Sequence, residues 1–317
     1  MTRRTSATSW ACRRSGFTLV ETLVVVAVVG LLPMLTFSAV QAAREASRRA
    51  SCSANLRQLG IALSSYSAAV GSLPHSVNAQ RGYSVHSMIL PYLDARVIFN
   101  SINFSLETHD RENRTARSAV VGTFLCPSDD ASGRPYSNYV ITMGYGHQLR
   151  RAELNGVFAR PPAPPTSLAD VPDGTSNTVM MSESVIGLGG KTPYKPLGSV
   201  FRTPQKLDAA GEFDQFLAVC RGMGPAEGHR YGGKGTSWIQ SGYSFTYYNH
   251  NLLPQEKSCS NGGLTFEGAW TASAFHPSGV NVLFADGRVR FVGGTVALPV
   301  WRAVATRAGG ETVDRLD

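Results

Sequence analysis

The chain has 317 residues, of which 43% are hydrophobic and 16% are charged, and its formal net charge is +8 at pH 7. This length and apolar content suit one large domain or two small ones with a real hydrophobic core. No long block of like charges and no basic stripe interleaved with aromatic residues occurs, so nucleic acid is not an expected partner, and the absence of a repeat period argues against a solenoid or propeller.

An apolar run, GFTLVETLVVVAVVGLLPMLTF, covers residues 16–37. Glu21 is the one charged residue between Phe17 and Val40. About 20 helical residues at about 1.5 Å each cross a hydrocarbon core, so the run predicts a transmembrane or export segment. The flank in front of it has no acid and holds half of the net charge, as Arg3, Arg4, Arg13 and Arg14. Such a flank is expected to stay cytoplasmic while the large domain is exported.

Three kinds of export signal fit this run. An ordinary signal peptide would be cut near the small residues of 38–43, but the apolar run is longer than such a peptide usually has. A twin-arginine signal could begin at Arg13, but it leaves Glu21 without a role. Cleavage between Gly16 and Phe17 makes Glu21 the fifth residue of the mature chain. This third signal accounts for the acid, because a carboxylate in an apolar segment is costly unless it is paired.

The stretch GFTLVETLVVVAVVGLLP resembles the cleavage and methylation signal of type IV prepilins and type II secretion pseudopilins. The resemblance implies that prepilin peptidase cuts after Gly16 and that Phe17 is then methylated. It also implies that Glu21 neutralises the N-terminal amine of a neighbouring pilin-like subunit during filament assembly. Pro33 lies where pilin-like helices often carry a proline, which can kink the helix. The implied location is the inner membrane, with a single pass and the C-terminal domain in the periplasm or in a surface filament.

The helix is predicted to continue beyond the membrane. Residues 41–70 contain no proline, and apolar side chains recur at steps of three and four, as Leu56, Leu59, Leu63, Tyr66 and Val70. Gly71, followed by Leu73 and Pro74, predicts the helix end. The predicted organisation is a leader over 1–16, a transmembrane or filament-core helix over 17–40, an amphipathic continuation over 41–70 and a β-rich exported domain over 71–317. This organisation resembles the α+β architecture of a pilin. The resemblance implies a long N-terminal helix, about 80 Å at the standard rise, packed on mainly antiparallel strands with long loops.

Short elements between glycine- and proline-rich loops are predicted for the exported domain. Helices are predicted at 95–102 and 112–121. The predicted strands cover 83–90, 178–182, 237–239 and 243–248.

The sharpest local pattern is FHPSGVNVLFADGRVRFVGG, near the C-terminus. Two apolar runs, 282–285 and 288–292, flank Asp286 and Gly287. Asp-Gly is a dipeptide that suits the positive backbone angles of a two-residue hairpin turn. The pattern therefore predicts a β-hairpin with these two residues as its turn.

Cleavage of the leader would remove Cys12 and leave four cysteines, with three possible disulfide connectivities. Cys220 and Cys259 each lie in a loop region rich in glycine, serine or proline that a closed loop would stabilise, so we predict that they pair. By exclusion Cys52 pairs with Cys126, although Cys52 lies on the predicted helix and a buried free thiol is the alternative. No CxxC spacing occurs, so zinc-ribbon or thioredoxin-type chemistry is not expected.

His276 precedes Asp286 and Gly287 in a His-x9-Asp-Gly spacing. This spacing resembles the processing-associated motif of a large bacterial family of prepilin-like proteins with a domain of unknown function. Further stretches that look like blocks of that family are AAREASRR at 42–49, ILPYL at 89–93, LCPSD at 125–129, SNY at 137–139 and DGTSNT at 173–178. The resemblance implies a pseudopilin-like architecture and names no ligand.

Histidine and aspartate can orient a proton or bind a metal, but His276 and Asp286 have no Ser, Cys or second acid near them in a recognisable order. The favoured interpretation is that Asp286 shapes the turn and that His276 bonds to a neighbouring loop. A calcium site is a rival function for the acidic loops, with Asp129, Asp130 and Asp173 as ligands. No other cofactor is expected.

The sequence thus predicts a structural subunit, pseudopilin- or minor-pilin-like, of a type II secretion or type IV pilus-like assembly. The alternative is a membrane-anchored, non-polymerising binding module that recognises calcium or a carbohydrate. An enzyme is the third possibility, and no constellation of residues supports it beyond His276 with Asp286.

Overall fold

The computed structural model divides the chain into two compact units, Met1–Ala46 and Ser47–Asp317. The predicted leader before Gly16, the methylation position Phe17 and the side chain of Pro33 lie outside the described residues. The structure describes residues 16, 18–77, 82–130, 133–146, 155–187, 194–207, 209, 211–224, 230–231, 233–262, 268–311 and 316, without the side chains of 31–36 and 230–231.

Helix α1 covers Leu19–Val70 and begins in the first unit. Within the part of the chain that the structure describes, no helix is long and apolar enough to cross a membrane. The membrane-spanning segment predicted over residues 17–40 is therefore not confirmed.

In the second unit, α1 packs one face into the core. Leu56, Leu59 and Leu63 are fully buried, at the spacing that the sequence predicts. Burying each of these side chains contributes roughly 2 kcal/mol. At Gly60 an added Cβ would come within 2.8 Å of Leu283 Cδ1, so the glycine lets the helix approach the sheet closely.

Helix α1 ends at Val70, as predicted. Gly71 follows with a φ of 89°, and its N–H donates to the Ser67 carbonyl at 2.8 Å. Glycine adopts this left-handed conformation without the steric cost that a Cβ brings, which explains why the helix stops here.

Short helices follow α1. They are α2 Val85–Ile89, α3 Arg96–Asn100 and α4 Arg114–Ser118, with 3-10 turns at Leu90–Tyr92, Arg111–Asn113 and Gly122–Phe124. The strand predicted at 83–90 is wrong. Ser84 caps α2 instead, since its Oγ accepts the Ser87 N–H at 3.3 Å, and Pro91 suits the start of the next turn. The helices predicted at 95–102 and 112–121 are present but shorter.

The strands form two sheets. They are β1 Tyr139–Thr142, β2 Val179–Glu183, β3 Val200–Arg202, β4 Arg230–Tyr231, β5 Tyr247–Tyr248, β6 Ser258–Ser260, β7 Gly268–Ala269, β8 Gly279–Phe284 and β9 Val289–Gly293. The first sheet has the order β5-β1-β2-β8-β9 and the second β4-β3-β6-β7. Neighbouring strands are antiparallel except for β1 with β5 and β3 with β6, which are parallel. The unit is therefore α+β, with residues 47–70 of α1 packed on a mainly antiparallel β domain.

Two further helices, α5 Phe213–Gly222 and α6 Leu298–Ala303, complete the unit. Helix α5 carries Cys220, which is bonded to Cys259 on β6. Trp301 on α6 is fully buried and packs in a separate apolar cluster with residues of β2, β8 and β9.

Of the remaining predicted strands, 178–182 corresponds to β2, whereas 237–239 is not a strand and 243–248 shrinks to β5. Residues 242–246 form a turn in which the N–H groups of Phe245 and Thr246 both donate to the Gly242 carbonyl. Aromatic residues favour strands, but Gly242 has a φ of 135° and the chain turns there.

The predicted hairpin is present as β8 and β9, but its turn differs from the prediction. Leu283 pairs with Val289, Phe284 bonds to Arg288, and the loop has three residues, 285–287. Only Gly287 among them has a positive φ, 86°. This is the turn with a glycine bulge that three-residue hairpins favour, so Asp286 does not need a positive backbone angle.

Candidate functional site

Thr18 and Glu21 form a capping box at the start of α1. Glu21 Oε2 accepts the backbone N–H and the Oγ1–H of Thr18, both at 2.8 Å. The Glu21 N–H donates to Thr18 Oγ1 at 3.3 Å. The two side chains thus satisfy N–H groups that a first helical turn leaves unpaired. The Glu21 carboxylate is exposed to solvent at this end of the helix, and Gly16, before the predicted cut, is exposed as well.

His276 lies in the loop that leads into β8 and is only 2% exposed. Its Nε2 is 3.4 Å from Glu183 Oε1 and 3.8 Å from Cys126 Sγ. The histidine of the His-x9-Asp-Gly spacing therefore lies in the interior of the domain, between a carboxylate and a sulfur atom.

Glu183 ends β2 and is 1% exposed. Its Oε2 accepts the Asn281 N–H at 2.7 Å, and its Oε1 accepts the Asn281 Nδ2–H at 2.8 Å. The register of β2 with β8, which pairs Ser182 with Val282, places Glu183 beside Asn281. Two N–H donors on one carboxylate offset part of the cost of burying it and fix its orientation towards His276.

Both predicted disulfides are present in the structure, Cys52 with Cys126 and Cys220 with Cys259. Cys52 projects from α1, and Cys126 follows the 3-10 turn at Gly122–Phe124. The Cys126 N–H donates to Asn138 Oδ1 at 2.9 Å, and the Tyr139 hydroxyl donates to the Cys52 carbonyl at 3.1 Å.

Cys52, Cys126, Glu183 and His276 form one buried cluster, in which the potential ligand atoms all lie within 4.8 Å of one another. Across the described residues no other group of three or more His, Cys, Asp or Glu side chains could hold a metal ion. We call it the disulfide–histidine cluster. Three of its members were candidates from the sequence, and Glu183 was not. The pattern that could have indicated Glu183 is an acidic residue within the mostly apolar strand sequence VMMSESV.

Asp286 belongs to a different contact set. Its carboxylate accepts the Arg288 N–H at 3.0 Å and binds Arg288 Nε at 2.6 Å, and its own N–H donates to the Thr175 carbonyl. Asp286 thus shapes the hairpin turn, as the favoured interpretation of the sequence holds, while His276 contacts Glu183 and Cys126 on other elements.

Two of the three acids considered as calcium ligands, Asp129 and Asp173, bind protein groups instead. Asp129 is 8% exposed, and its Oδ1 lies 2.7 Å from Lys195 Nζ. Its Oδ2 accepts from Asn138 Nδ2 at 2.8 Å and from the Ile186 N–H at 2.7 Å.

Asp173 accepts the N–H groups of Gly309 and Gly310 at 2.7 and 2.9 Å, which fastens a C-terminal loop. Asp130 is exposed. In the described portion of the chain these acids are not among the side chains close enough to share an ion.

The aromatic stretch at 243–248 packs inwards. Tyr243, Tyr247 and Tyr248 are buried, and the Tyr243 ring stacks on Trp270 with 5.6 Å between ring centroids. These rings therefore give no support to a carbohydrate-binding surface, since such a surface needs exposed ring faces.

Lys234 carries a buried amino group and is only 1% exposed. Burial lowers the pKa of this group from 10.5 to about 7, and the charge of Asp129 opposes this shift. Its Nζ donates to Thr271 O at 2.7 Å, Ser273 Oγ at 2.9 Å, and Leu197 O and Ser258 Oγ at 3.3 Å. These acceptors hold the amino group in place, as buried polar groups require.

A small pocket opens beside the disulfide–histidine cluster. Its lining includes Cys126, Glu183, Asn138, Ser273 and Phe275. Its volume of about 10 Å³ is roughly the room that one water molecule needs. The cluster is therefore buried, but one side of it borders a space that a small species can enter.

Two families of known proteins match the sequence. Residues 41–298 match the family described as "Protein of unknown function (DUF1559)", and the chain belongs to that family. Residues 12–32 match the prokaryotic N-terminal methylation motif. The predicted resemblance to prepilin-like proteins with such a motif and a C-terminal domain of unknown function is thus confirmed. No curated protein and no solved structure matches the chain.

Proposed function

We propose that the chain is a pseudopilin- or minor-pilin-like structural subunit of a type II secretion or type IV pilus-like assembly. The observation that carries the proposal is the N-terminal methylation motif over residues 12–32, a signal that points to proteins of this class. Prepilin peptidase cuts after Gly16, and Phe17 becomes the methylated N-terminus. The partners are other pilin-like subunits, and the chain is anchored in the inner membrane until it assembles.

The geometry of Glu21 supports this function. Both hydrogen bonds from Thr18 reach Oε2 of an exposed carboxylate. An ionised carboxylate has about four acceptor positions, so it can hold its own helix cap and still bind the ammonium group of a neighbouring subunit. The proposed domain organisation follows the sequence prediction, with 17–40 as the filament-core helix, 41–70 as its continuation and 71–317 as a pilin-like exported domain without catalytic activity.

The first test is the mass and N-terminal sequence of the membrane-extracted protein, with and without prepilin peptidase. We expect a start at methylated Phe17 only when the peptidase is present. A start at Met1 or beyond Ala39 in both samples would contradict the processing step, and with it the subunit function.

A second test separates the charge of Glu21 from its role in the helix cap. Glu21→Gln keeps a side chain that completes a capping box but removes the charge, so we expect at least a tenfold loss of filament in the sheared fraction with unchanged cleavage. Thr18→Val is the matched control, because it removes the cap hydroxyl at a cost of about 1 kcal/mol and keeps the carboxylate. Normal assembly of Glu21→Gln would show that the acid serves only its own helix.

A further inference from the structure

We propose that the disulfide–histidine cluster is a redox-gated metal site, in which Cys52, Cys126, Glu183 and His276 bind one zinc-like divalent ion when the Cys52–Cys126 disulfide is reduced. The site is independent of filament assembly. It gives a chemical role to the histidine of the His-x9-Asp-Gly spacing.

The ligand types and their distances fit zinc. Zinc prefers thiolate and imidazole ligands and also takes carboxylate, in a tetrahedral arrangement. With bonds of about 2.3 Å to sulfur and about 2.0–2.2 Å to nitrogen or oxygen, neighbouring ligand atoms of such a tetrahedron lie about 3.4–3.8 Å apart. His276 Nε2 is 3.8 Å from Cys126 Sγ and 3.4 Å from Glu183 Oε1. The His276–Glu183 distance is that of neighbouring ligands around one ion, and the His276–Cys126 distance is about 0.2 Å longer than for an imidazole and a thiolate. The widest separations in the cluster, up to 4.8 Å, must shorten by about 1 Å when the ion binds.

Groups around the cluster hold the ligands in place. Asn281 donates two hydrogen bonds to Glu183, one to each carboxylate oxygen. Asn138 accepts the Cys126 N–H, and the Tyr139 hydroxyl bonds to the Cys52 carbonyl. Outer contacts of this kind orient metal ligands. Because they involve the backbone or the carboxylate and not the sulfur atoms, they persist when the disulfide opens.

The redox step balances with a small dithiol as the reductant. The dithiol gives two electrons and two protons to the Cys52–Cys126 bond and becomes a cyclic disulfide, while the S–S bond breaks and two thiols form. The metal then displaces both thiol protons, which leave to solvent. The sulfur atoms move apart from bonding distance to about 3.7 Å, the separation of two thiolates on one tetrahedral ion.

The ion offsets the charge that opening the disulfide creates. The disulfide itself carries no charge. With the disulfide open, the two thiolates contribute −2 and the ion contributes +2. Two thiolates without an ion would leave −2 uncompensated in a buried environment, which is costly. This difference favours either the disulfide or the metal over free thiolates.

Access is provided by the pocket that Cys126 and Glu183 line together with Phe275. Its volume of about 10 Å³ admits an ion or a water molecule as the protein stands. Phe275, which lines the pocket, is 42% exposed, and a small dithiol reaches Cys126 only if this side chain moves aside.

The test uses the full-length protein and Co²⁺ as a spectroscopic probe, with Zn²⁺ as competitor. Protein reduced with a small dithiol, then freed of it, is expected to bind one Co²⁺ per chain with cobalt–thiolate charge-transfer absorption, which Zn²⁺ abolishes. Oxidised protein is expected to show no such absorption. Failure of the native protein to be reduced, or reduced protein without the absorption, would overturn the proposal.

Variants identify the ligands. His276→Ala and Glu183→Gln are expected to weaken Co²⁺ binding at least tenfold, and Cys52→Ser with Cys126→Ser to remove the charge-transfer band. The matched control is Cys220→Ser with Cys259→Ser, which opens the other disulfide and is expected to leave the band unchanged.

A reduced chain that has lost its fold could still bind Co²⁺ through free thiols. In that case His276→Ala would leave the affinity unchanged, and the proposal would be wrong. The folded site further predicts that Zn²⁺ raises the thermal midpoint of the reduced wild-type protein but not that of reduced His276→Ala, because only binding to the native state stabilises it.

Discussion

The free energy of unfolding is expected to fall as the pH drops from 6.5 to about 4, because two fully buried histidines are neutral in the folded protein. Burial lowers the pKa of His86 from 6.5 to about 4 and that of His250 from 6.5 to about 3, against an opposing backbone hydrogen bond in each case. In the unfolded chain both protonate near pH 6.5. The unfolded state therefore binds more protons throughout this window, and stability is lost as the pH falls. Between the pKa of the unfolded chain and that of the folded protein, each histidine lowers the free energy of unfolding by about 3 kcal/mol or more.

Burial is the cause of both pKa shifts, and the hydrogen bonds of the two rings show which nitrogen carries the proton in the neutral form. His250 Nδ1 donates to the Trp301 carbonyl at 2.6 Å, and its Nε2 accepts from the Tyr248 hydroxyl at 2.9 Å. The ring also stacks on Trp301 with centroids 3.8 Å apart. His86 Nε2 donates to the Tyr139 carbonyl at 2.8 Å. These bonds define neutral tautomers, and in the described structure no carboxylate bonds to either ring.

Urea unfolding between pH 7 and about pH 4.5 measures the effect. His86→Gln and His250→Gln are each expected to be less stable than the wild type at pH 7. Their free energy of unfolding is also expected to fall less steeply with acid, because each variant removes up to one proton from the difference between the unfolded and folded states. His109→Gln is the matched control, because the His109 side chain is 65% exposed. An unchanged pH slope in both buried-site variants would show that other groups cause the acid loss.

Stability is expected to rise between pH 7 and 10 because of Lys234. The pKa of this buried lysine is about 7, against 10.5 for an ordinary lysine. A lowered lysine pKa means that the unfolded chain holds more protons than the folded protein above pH 7, so stability increases with pH until about 10.5. Between pH 7 and about 10.5, the free energy of unfolding is expected to rise by about 5 kcal/mol in total.

Lys234→Met is expected to abolish this rise, since it removes the titrating group at similar volume. Lys234→Ala is expected to lose about 3–5 kcal/mol at pH 7, because it leaves a cavity and several unpaired acceptors. Lys206→Met, at an exposed lysine, is the control. The measurement is urea unfolding from pH 7 to just below pH 10. Above that limit, tyrosines that are buried in the folded protein would ionise in the unfolded chain, because their ordinary pKa is 10, and this would mask the effect of the lysine. A wild-type protein whose stability is flat over this range would contradict the assignment of a neutralised lysine.

Features that depend on local spacing were predictable from the sequence. The end of α1 at Val70 follows from the period of its leucines and from Gly71, and the β8–β9 hairpin follows from apolar runs on both sides of Asp286 and Gly287. The capping box of Thr18 and Glu21 follows from a local pattern as well, since Thr-x-x-Glu precedes an apolar helical run.

Features that depend on tertiary contacts were not predictable. Residues 83–90 have the composition of a strand, yet Ser84 caps a helix there and its Oγ also donates to the Trp238 carbonyl at 2.6 Å. Glu183 became part of the candidate site only because β2 pairs with β8 and α1 brings Cys52 beside it. No pattern in one strand contains this information, since the partners are distant along the chain.

The Cys52–Cys126 bond joins helix α1 to the turn before β1, across 74 residues of sequence. Force applied to residues 47–70 of α1 is therefore transmitted to the β domain through a covalent bond as well as through side-chain packing. Side-chain packing is disrupted at a lower force than a covalent bond. Under tension the second-unit part of α1 is expected to remain attached to the β domain in the oxidised protein. It is expected to detach at much lower force once the disulfide is reduced, so the redox state of one bond sets the mechanical strength of the second unit.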